Sequence, residues 1–131
     1  MIPMSEPLIR EVRLEELDEV RRLLREYQAW LGIDLCFQSF EQELAGLPGD
    51  YAPPHGRLLV AGEGAELAGC VALRRITVED AEMKRLYVRS AWRGQGLGRR
   101  LAFRVIAEAR DLGYSRLIRD TLTAAGRPLP M

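Results

Sequence analysis

The sequence predicts a single α/β domain, an α+β mixed sheet with helices packed against it. Three observations carry that reading. Short β-type runs are interspersed with two segments whose apolar residues recur at spacings of three and four. Two of the runs, Arg57 to Ala61 and Leu67 to Leu73, flank a turn with two glycines and read as an antiparallel hairpin. A strand, a glycine-rich turn, a helix and another strand then follow one another between Glu82 and Leu122, the pattern of a parallel crossover.

In chain order, Leu8 to Val12 forms the first expected strand. A helix follows from Arg13, with Glu15, Glu16 and Asp18 in its first turns, where acidic groups suit the helix dipole. Leu17, Val20, Leu23, Leu24, Tyr27 and Leu31 make its apolar face, and Gly32 is the stop. Phe40, Leu44 and Leu47 give two further turns, with Ser39 as a candidate cap and Pro48-Gly49 as the break. The loop Tyr51 to Gly56 reads either as a connector or as a wall of a substrate pocket. It carries His55, the only histidine, whose loop position favours solvent exposure over catalysis. After the hairpin, Arg74 to Asp80 is a polar connection and Glu82 to Val88 the next strand. Leu97, Leu101, Val105, Ala109 and Leu112 stripe a helix that Gly113 ends, and Ser115 to Leu122 is the last strand. Arg100 and Arg104 are read as a solvated helix face and Trp92 as a packing residue. The nine residues 123–131 read as an irregular tail, because Gly126, Pro128 and Pro130 continue no regular element.

Composition bounds the function. With 131 residues the chain is one domain, 1–131, large enough for a real core. Nineteen basic residues balance nineteen acidic ones, so the chain is no general nucleic-acid or membrane-surface binder. Cys36 and Cys70 lack metal-ligand spacing, so they are read as reduced thiols and no metal is expected. The N-terminus has no basic region followed by an apolar core, and no apolar run reaches the roughly 20 residues that span a bilayer. The expected location is the cytoplasm.

The chemistry concentrates in Arg93-Gly-Gln-Gly-Leu-Gly-Arg99, between the strand ending at Val88 and the helix starting at Leu97. Glycines there let backbone N–H groups close on an anion, and the helix N-terminus adds partial positive charge. A P-loop needs a lysine after its glycines, which is missing here. A dinucleotide fingerprint needs Gly-x-Gly-x-x-Gly early in a βαβ unit; Gly94, Gly96 and Gly98 are one residue short and late in the chain. The pattern that fits is the acyl-CoA turn, Arg/Gln-x-x-Gly-x-Gly/Ala.

In that context the chain resembles the GNAT family of N-acetyltransferases. Glu82-Met-Lys-Arg-Leu-Tyr-Val88, the glycine turn, the helix with Ala109-Arg110, and Leu112-Gly-Tyr114 before the last strand carry the resemblance, which covers residues 8–122. It implies an acyl-CoA N-acyltransferase fold with acetyl-CoA as the acetyl donor. Leu86, Tyr87 and Val88 would pair with the pantetheine arm through their backbone. Arg93, Gly94, Gln95, Gly96, Leu97, Gly98 and Arg99 would hold the diphosphate, with Arg93 or Arg99 adding charge-assisted hydrogen bonds. An amine of a small molecule or peptide would attack the thioester directly. Glu82 is the candidate general base, or else an exposed strand-end carboxylate; Glu79 and Asp80 are weaker candidates. The Val88 N–H would hold the oxyanion. Tyr114 is read as an anchor of the helix end, not as the acid.

The family's later helix, with its acid tyrosine, and two further strands have no counterpart after Leu122. The expectation is therefore a fold without those C-terminal elements, whose bare edge a homodimer would cover. Two functions follow: a working N-acetyltransferase, or a non-catalytic protein that keeps the acyl-CoA site.

Overall fold

The computed structural model describes residues 7–32, 39–63 and 66–119. Strand β1 (Ile9–Glu11) leads through a 3₁₀ turn, Leu14–Glu16, into helix α1 (Leu17–Leu31). A short helix α2 (Phe40–Ala45) follows, then a 3₁₀ turn at Gly49–Tyr51. Strands β2 (Arg57–Glu63), β3 (Glu66–Arg75) and β4 (Asp80–Val88) come next, then helix α3 (Leu97–Asp111) and strand β5 (Arg116–Arg119). The sheet order is β1-β2-β3-β4-β5. All neighbours are antiparallel except β4 and β5, which the α3 crossover makes parallel. The mixed α/β sheet is therefore as expected. The tail at 123–131 and the end of the last expected strand lie outside the described residues.

Both faces of the sheet are covered, which accounts for the near-continuous apolar runs of β2 and β3. Alternation sends Leu58, Val60, Cys70 and Ala72 to one face, where α1 and α2 supply Leu23, Leu24, Phe40 and Leu44. It sends Leu59, Ala61, Val71 and Leu73 to the other, where α3 supplies Leu97, Leu101, Val105 and Ala109. These are the stripes that the spacings of three and four predict.

Several local readings change. Ser39 precedes α2 in the left-handed conformation, φ 58°, and its side chain caps nothing. Glu16 does more than face the helix dipole. It is buried, accepts two hydrogen bonds from Arg10 at 2.9 and 2.7 Å, and also accepts the Arg13 backbone N–H. Arg100 and Arg104 are not merely solvated. Their guanidiniums reach across to the carbonyls of Pro7 and Ile9, at 3.1 and 2.9 Å, and tie α3 to the first strand. Their long apolar stems make that reach possible along the helix face. Asp80 is no base. It is buried, holds Arg116 through two hydrogen bonds of 2.7 and 3.0 Å, and so fastens β4 to the start of β5.

The most consequential irregularity is in β4. Cys70 pairs with Tyr87 and Ala72 with Lys84, so β4 advances by one residue more than β3 over the same stretch. The strand bulges there, and Arg85 takes φ 61°, a conformation that costs a non-glycine residue about 1 kcal/mol or more. The bulge places Lys84 and Arg85 on successive positions without the usual change of face, because the next residue that packs on the α3 side is Leu86. Pairing of β4 with β5 is described only over Asp80–Met83.

Candidate active site

Arg85 holds the bulge. It is 1% exposed. Its Nε and one terminal nitrogen donate to the two carboxylate oxygens of Glu43 at 3.0 and 2.8 Å. The guanidinium lies 5.8 and 5.1 Å from the ring centroids of Tyr27 and Phe40. Burial alone would raise the Glu43 carboxyl; the hydrogen bonds and charge of Arg85 outweigh it, and the carboxyl sits below its ordinary value. Tyr51 donates its hydroxyl to the same carboxylate at 2.9 Å. Burial, with the Glu43 charge beside it, pushes the Tyr51 phenol up, so it stays protonated. The Cys70 thiol, which faces the Arg85 carbonyl, is fully buried and pushed up to about 12 by burial. It is no nucleophile.

Beyond the bulge, Leu86, Tyr87 and Val88 form one wall of a cavity of about 310 Å³. Gly94, Gly96, Leu97 and Gly98 form the floor, and Arg93, Trp92 and Trp30 close the sides. Eight of the ten residues expected to hold the cofactor therefore meet in one place: Leu86, Tyr87, Val88, Arg93, Gly94, Gly96, Leu97 and Gly98. Gln95 and Arg99 are on the same turn and stand outside the lining.

The glycines do there what side chains cannot. Gly94 and Gly96 have φ of 80° and 81°, left-handed values that fold successive N–H groups inward. Gly96 is the N-cap of α3, no side chain caps that helix, and no acidic residue lies in its first turn. Helix α1 contrasts with it, having Asp18 and Glu19 in its first turn. The exposed amides and dipole of α3 thus remain available to an anion, with Arg93 and Arg99 nearby.

Arg93 is tied into the cavity wall. Its Nε donates to the Val88 carbonyl at 2.8 Å, and its guanidinium lies 5.3 and 5.4 Å from the ring centroids of Trp30 and Tyr87. The Tyr87 hydroxyl in turn faces Glu26. Burial, then the Glu26 charge, raises the Tyr87 phenol. Arg89, at the strand's end, binds Glu19 and Glu26 at 2.8 and 2.9 Å and locks α1 against β4. Sequence reasoning missed Trp30 and gave Trp92 a packing role alone. The one usable signal for Trp30 was a large aromatic adjacent to the apolar stripe of α1; it is 50% exposed and lines the cavity.

Glu82 lies on β4 before the bulge, opposite Arg74 of β3. Its carboxylate accepts the Arg74 Nε at 2.8 Å, and its side chain is 18% exposed. It does not line the 310 Å³ cavity. A second, polar cavity of about 540 Å³ lies on the α2 side. Arg74, Lys84, Glu43, Asp50 and Tyr51 are in its lining. Of the loop Tyr51 to Gly56, Tyr51 alone belongs to that wall. His55 is exposed; its carbonyl accepts the Tyr114 hydroxyl at 2.7 Å, which gives Tyr114 the anchoring role expected of it. Among the described residues no group of histidine, cysteine and carboxylate side chains is placed to hold a metal, and no helix is long and apolar enough to cross a membrane.

The sequence profile of the acetyltransferase (GNAT) family matches residues 17–126. An uncharacterized N-acetyltransferase of Schizosaccharomyces pombe is 42% identical over 125 residues, spanning 93% of this chain and 77% of the relative. The crystal structure of an acetyltransferase from Streptococcus agalactiae superposes with a TM-score of 0.73 at 26% identity, covering 90% of this chain and 74% of that one. The GNAT family N-acetyltransferase YhbS of Escherichia coli, solved in complex with CoA, superposes at 0.59 with 25% identity, over 87% of this chain and 62% of its own. With the bulged strand, the uncapped helix and the cavity between them, these likenesses settle the kind of protein: the chain belongs to the acetyltransferase (GNAT) family and is an acetyltransferase that draws on acetyl-CoA.

Proposed function

We propose that the protein transfers the acetyl group of acetyl-CoA to a primary amine by direct attack. The observation that carries this reading is the shared cavity: the edge Leu86–Val88 and the start of α3 at Gly96–Gly98 face one space. A chain of amides and a peptide-like edge suit the amide-bearing pantetheine arm, and the α3 N-terminus suits its diphosphate. Arg93 would lie alongside the arm, held by Trp30, Tyr87 and the Val88 carbonyl.

The reaction then needs little more than positioning and one proton acceptor. The amine nitrogen bonds to the thioester carbonyl carbon, the C–S bond breaks, and CoA leaves as the thiolate. One proton from nitrogen goes to a base, for which Glu82 is the carboxylate nearest the bulge on β4. Backbone N–H groups of this stretch, from the bulge at Arg85 to Val88, would support the developing oxyanion. The Arg74 ion pair engages one oxygen of Glu82, and the proton would go to the other.

The test is thiol release from acetyl-CoA in the presence of a panel of primary amines. Wild type releases CoA with an amine and not without one. Glu82→Gln lowers kcat by about 10²-fold, the usual weight of a general base, with acetyl-CoA affinity unchanged. Equal turnover by the variant across pH removes Glu82 from the mechanism. Acetyl-CoA binding without transfer to any amine would assign the chain to the non-catalytic reading.

A further inference from the structure

The polar cavity beside the bulge holds a cation that nothing in the described fold consumes. The charges that act on it most strongly are already engaged with one another. Glu43 gives both oxygens to Arg85 and one of them also to Tyr51. Arg74 gives its Nε to Glu82. Lys84, the only lysine of the chain, makes no hydrogen bond or ion pair among the described residues, yet its side chain is half-buried in the cavity wall. Burial, and then the neighbouring Arg85 charge, push its ammonium below the ordinary lysine value. Arg85 and Arg74 repel it, and Glu82 and Glu43, both already paired, attract it. Holding a half-buried ammonium whose two attracting carboxylates are both engaged elsewhere is a costly arrangement.

The position of Lys84 gives it a use. Strand β4 is the element common to the two cavities: Leu86–Val88 line the CoA space and Lys84 lines the polar one, on either side of Arg85. A molecule seated in the polar cavity is thus one bulge away from the space proposed for acetyl-CoA. The cavity's volume, about 540 Å³, is that of a small-molecule site. The residues that β3 and β4 contribute to its lining are Arg74 and Lys84, both cationic.

We propose that this cavity is the acceptor subsite and that Lys84, assisted by Arg74, binds a carboxylate on the acceptor, which makes the acceptor a small amine of the amino-acid class. The inference rests on the transferase reading above. An anion placed on Lys84 relieves the unpaired charge, and Arg74 offers it a second donor without releasing Glu82. Attachment through the carboxylate leaves the amino group free to turn toward the bulge.

The test uses the L-amino acids and their methyl esters, which keep shape and amine but lose the charge. Wild type is expected to prefer acids over esters by about tenfold or more in kcat/KM. Lys84→Met is expected to lose about tenfold or more for the acids, through KM, and to leave the esters unchanged. Lys84→Arg restores acid acceptance. Lys84→Met removes an unpaired half-buried charge, so its Tm does not fall. Esters used as well as acids, or a Lys84→Met loss that is equal for both, overturn the proposal and leave the transferase reading intact. A second readout needs no turnover. Reductive methylation keeps the charge of Lys84, the one lysine, and ¹³C-dimethyl labelling gives it its own resonance. Amino acids are expected to shift that resonance and methyl esters are not. If no amine is acetylated, the transferase reading fails, and the resonance alone decides the carboxylate site: no shift with any amino acid overturns it.

Discussion

Arg85 shows how one residue sets the chemistry of its neighbourhood. A non-glycine residue at φ 61° inside a strand persists only where its surroundings enforce it. Here the Glu43 carboxylate and the Tyr27 and Phe40 rings do so. The pair is worth more intact than broken, because removing one partner strands a buried charge. Glu43→Gln is expected to destabilise the fold by about 3–5 kcal/mol, read as a drop in the denaturation midpoint. The pH dependence follows from the direction of the Glu43 shift. Its carboxyl lies lower in the folded than in the unfolded chain. The unfolded chain therefore binds the proton more readily, and Glu43 contributes stability that is fully present above about pH 4.3 and lost as pH falls through the folded value. Wild type should lose stability on acidification below about pH 4.3, and Glu43→Gln should lose measurably less over the same interval. Parallel acid profiles would show that Glu43 is not held as the structure places it.

Element by element, the legible parts are those where spacing alone decides. The stripes of α1 and α3 follow from residues at three and four, and the hairpin follows from two apolar runs around a turn. The glycine turn is legible because Gly94, Gly96 and Gly98, set between a strand and a helix, clear side chains from the one place where backbone amides can close on an anion. The bulge in β4 is not legible: Lys84-Arg85 reads as an ordinary charged pair, and only the register against β3 shows the extra residue. The ties of Arg100 and Arg104 to the first strand are hidden for the same reason, since partners 93 and 95 positions away leave no local pattern. Gly69 belongs with these. Nothing in the run Leu67 to Leu73 singles it out, yet a Cβ there would stand 2.6 Å from the Tyr87 carbonyl oxygen and 3.3 Å from Leu101. The missing Cβ lets β3, β4 and α3 close together. Gly69→Ala is expected to cost about 1–3 kcal/mol and to lower the melting temperature accordingly. An unchanged Tm would mean that these elements are further apart than described.

Taken whole, the molecule is a sheet between two helical layers, and its two cavities lie on either side of the place where β4 leaves regular pairing. The α1 and α2 side supplies Trp30, Glu43 and Tyr51, and the α3 side supplies the amides. The central claim is that the segment Leu86–Val88 and the α3 N-terminus jointly hold acetyl-CoA. Gly98 isolates that claim from stability. It lies in the first turn of α3, its φ is not left-handed, and an added Cβ would meet only Val88 Cγ2, at an ordinary 3.7 Å. Glutamate there suits the helix and its dipole, by about 0.5 kcal/mol or more, and brings a carboxylate to the cavity floor where the diphosphate is expected. The deciding measurement is a calorimetric titration of acetyl-CoA into wild type and Gly98→Glu, with Tm recorded for both. One-to-one binding by wild type, weakened about tenfold or more in a variant at least as thermostable, is the predicted result. No binding by wild type, or equal binding by a well-folded Gly98→Glu, would contradict it.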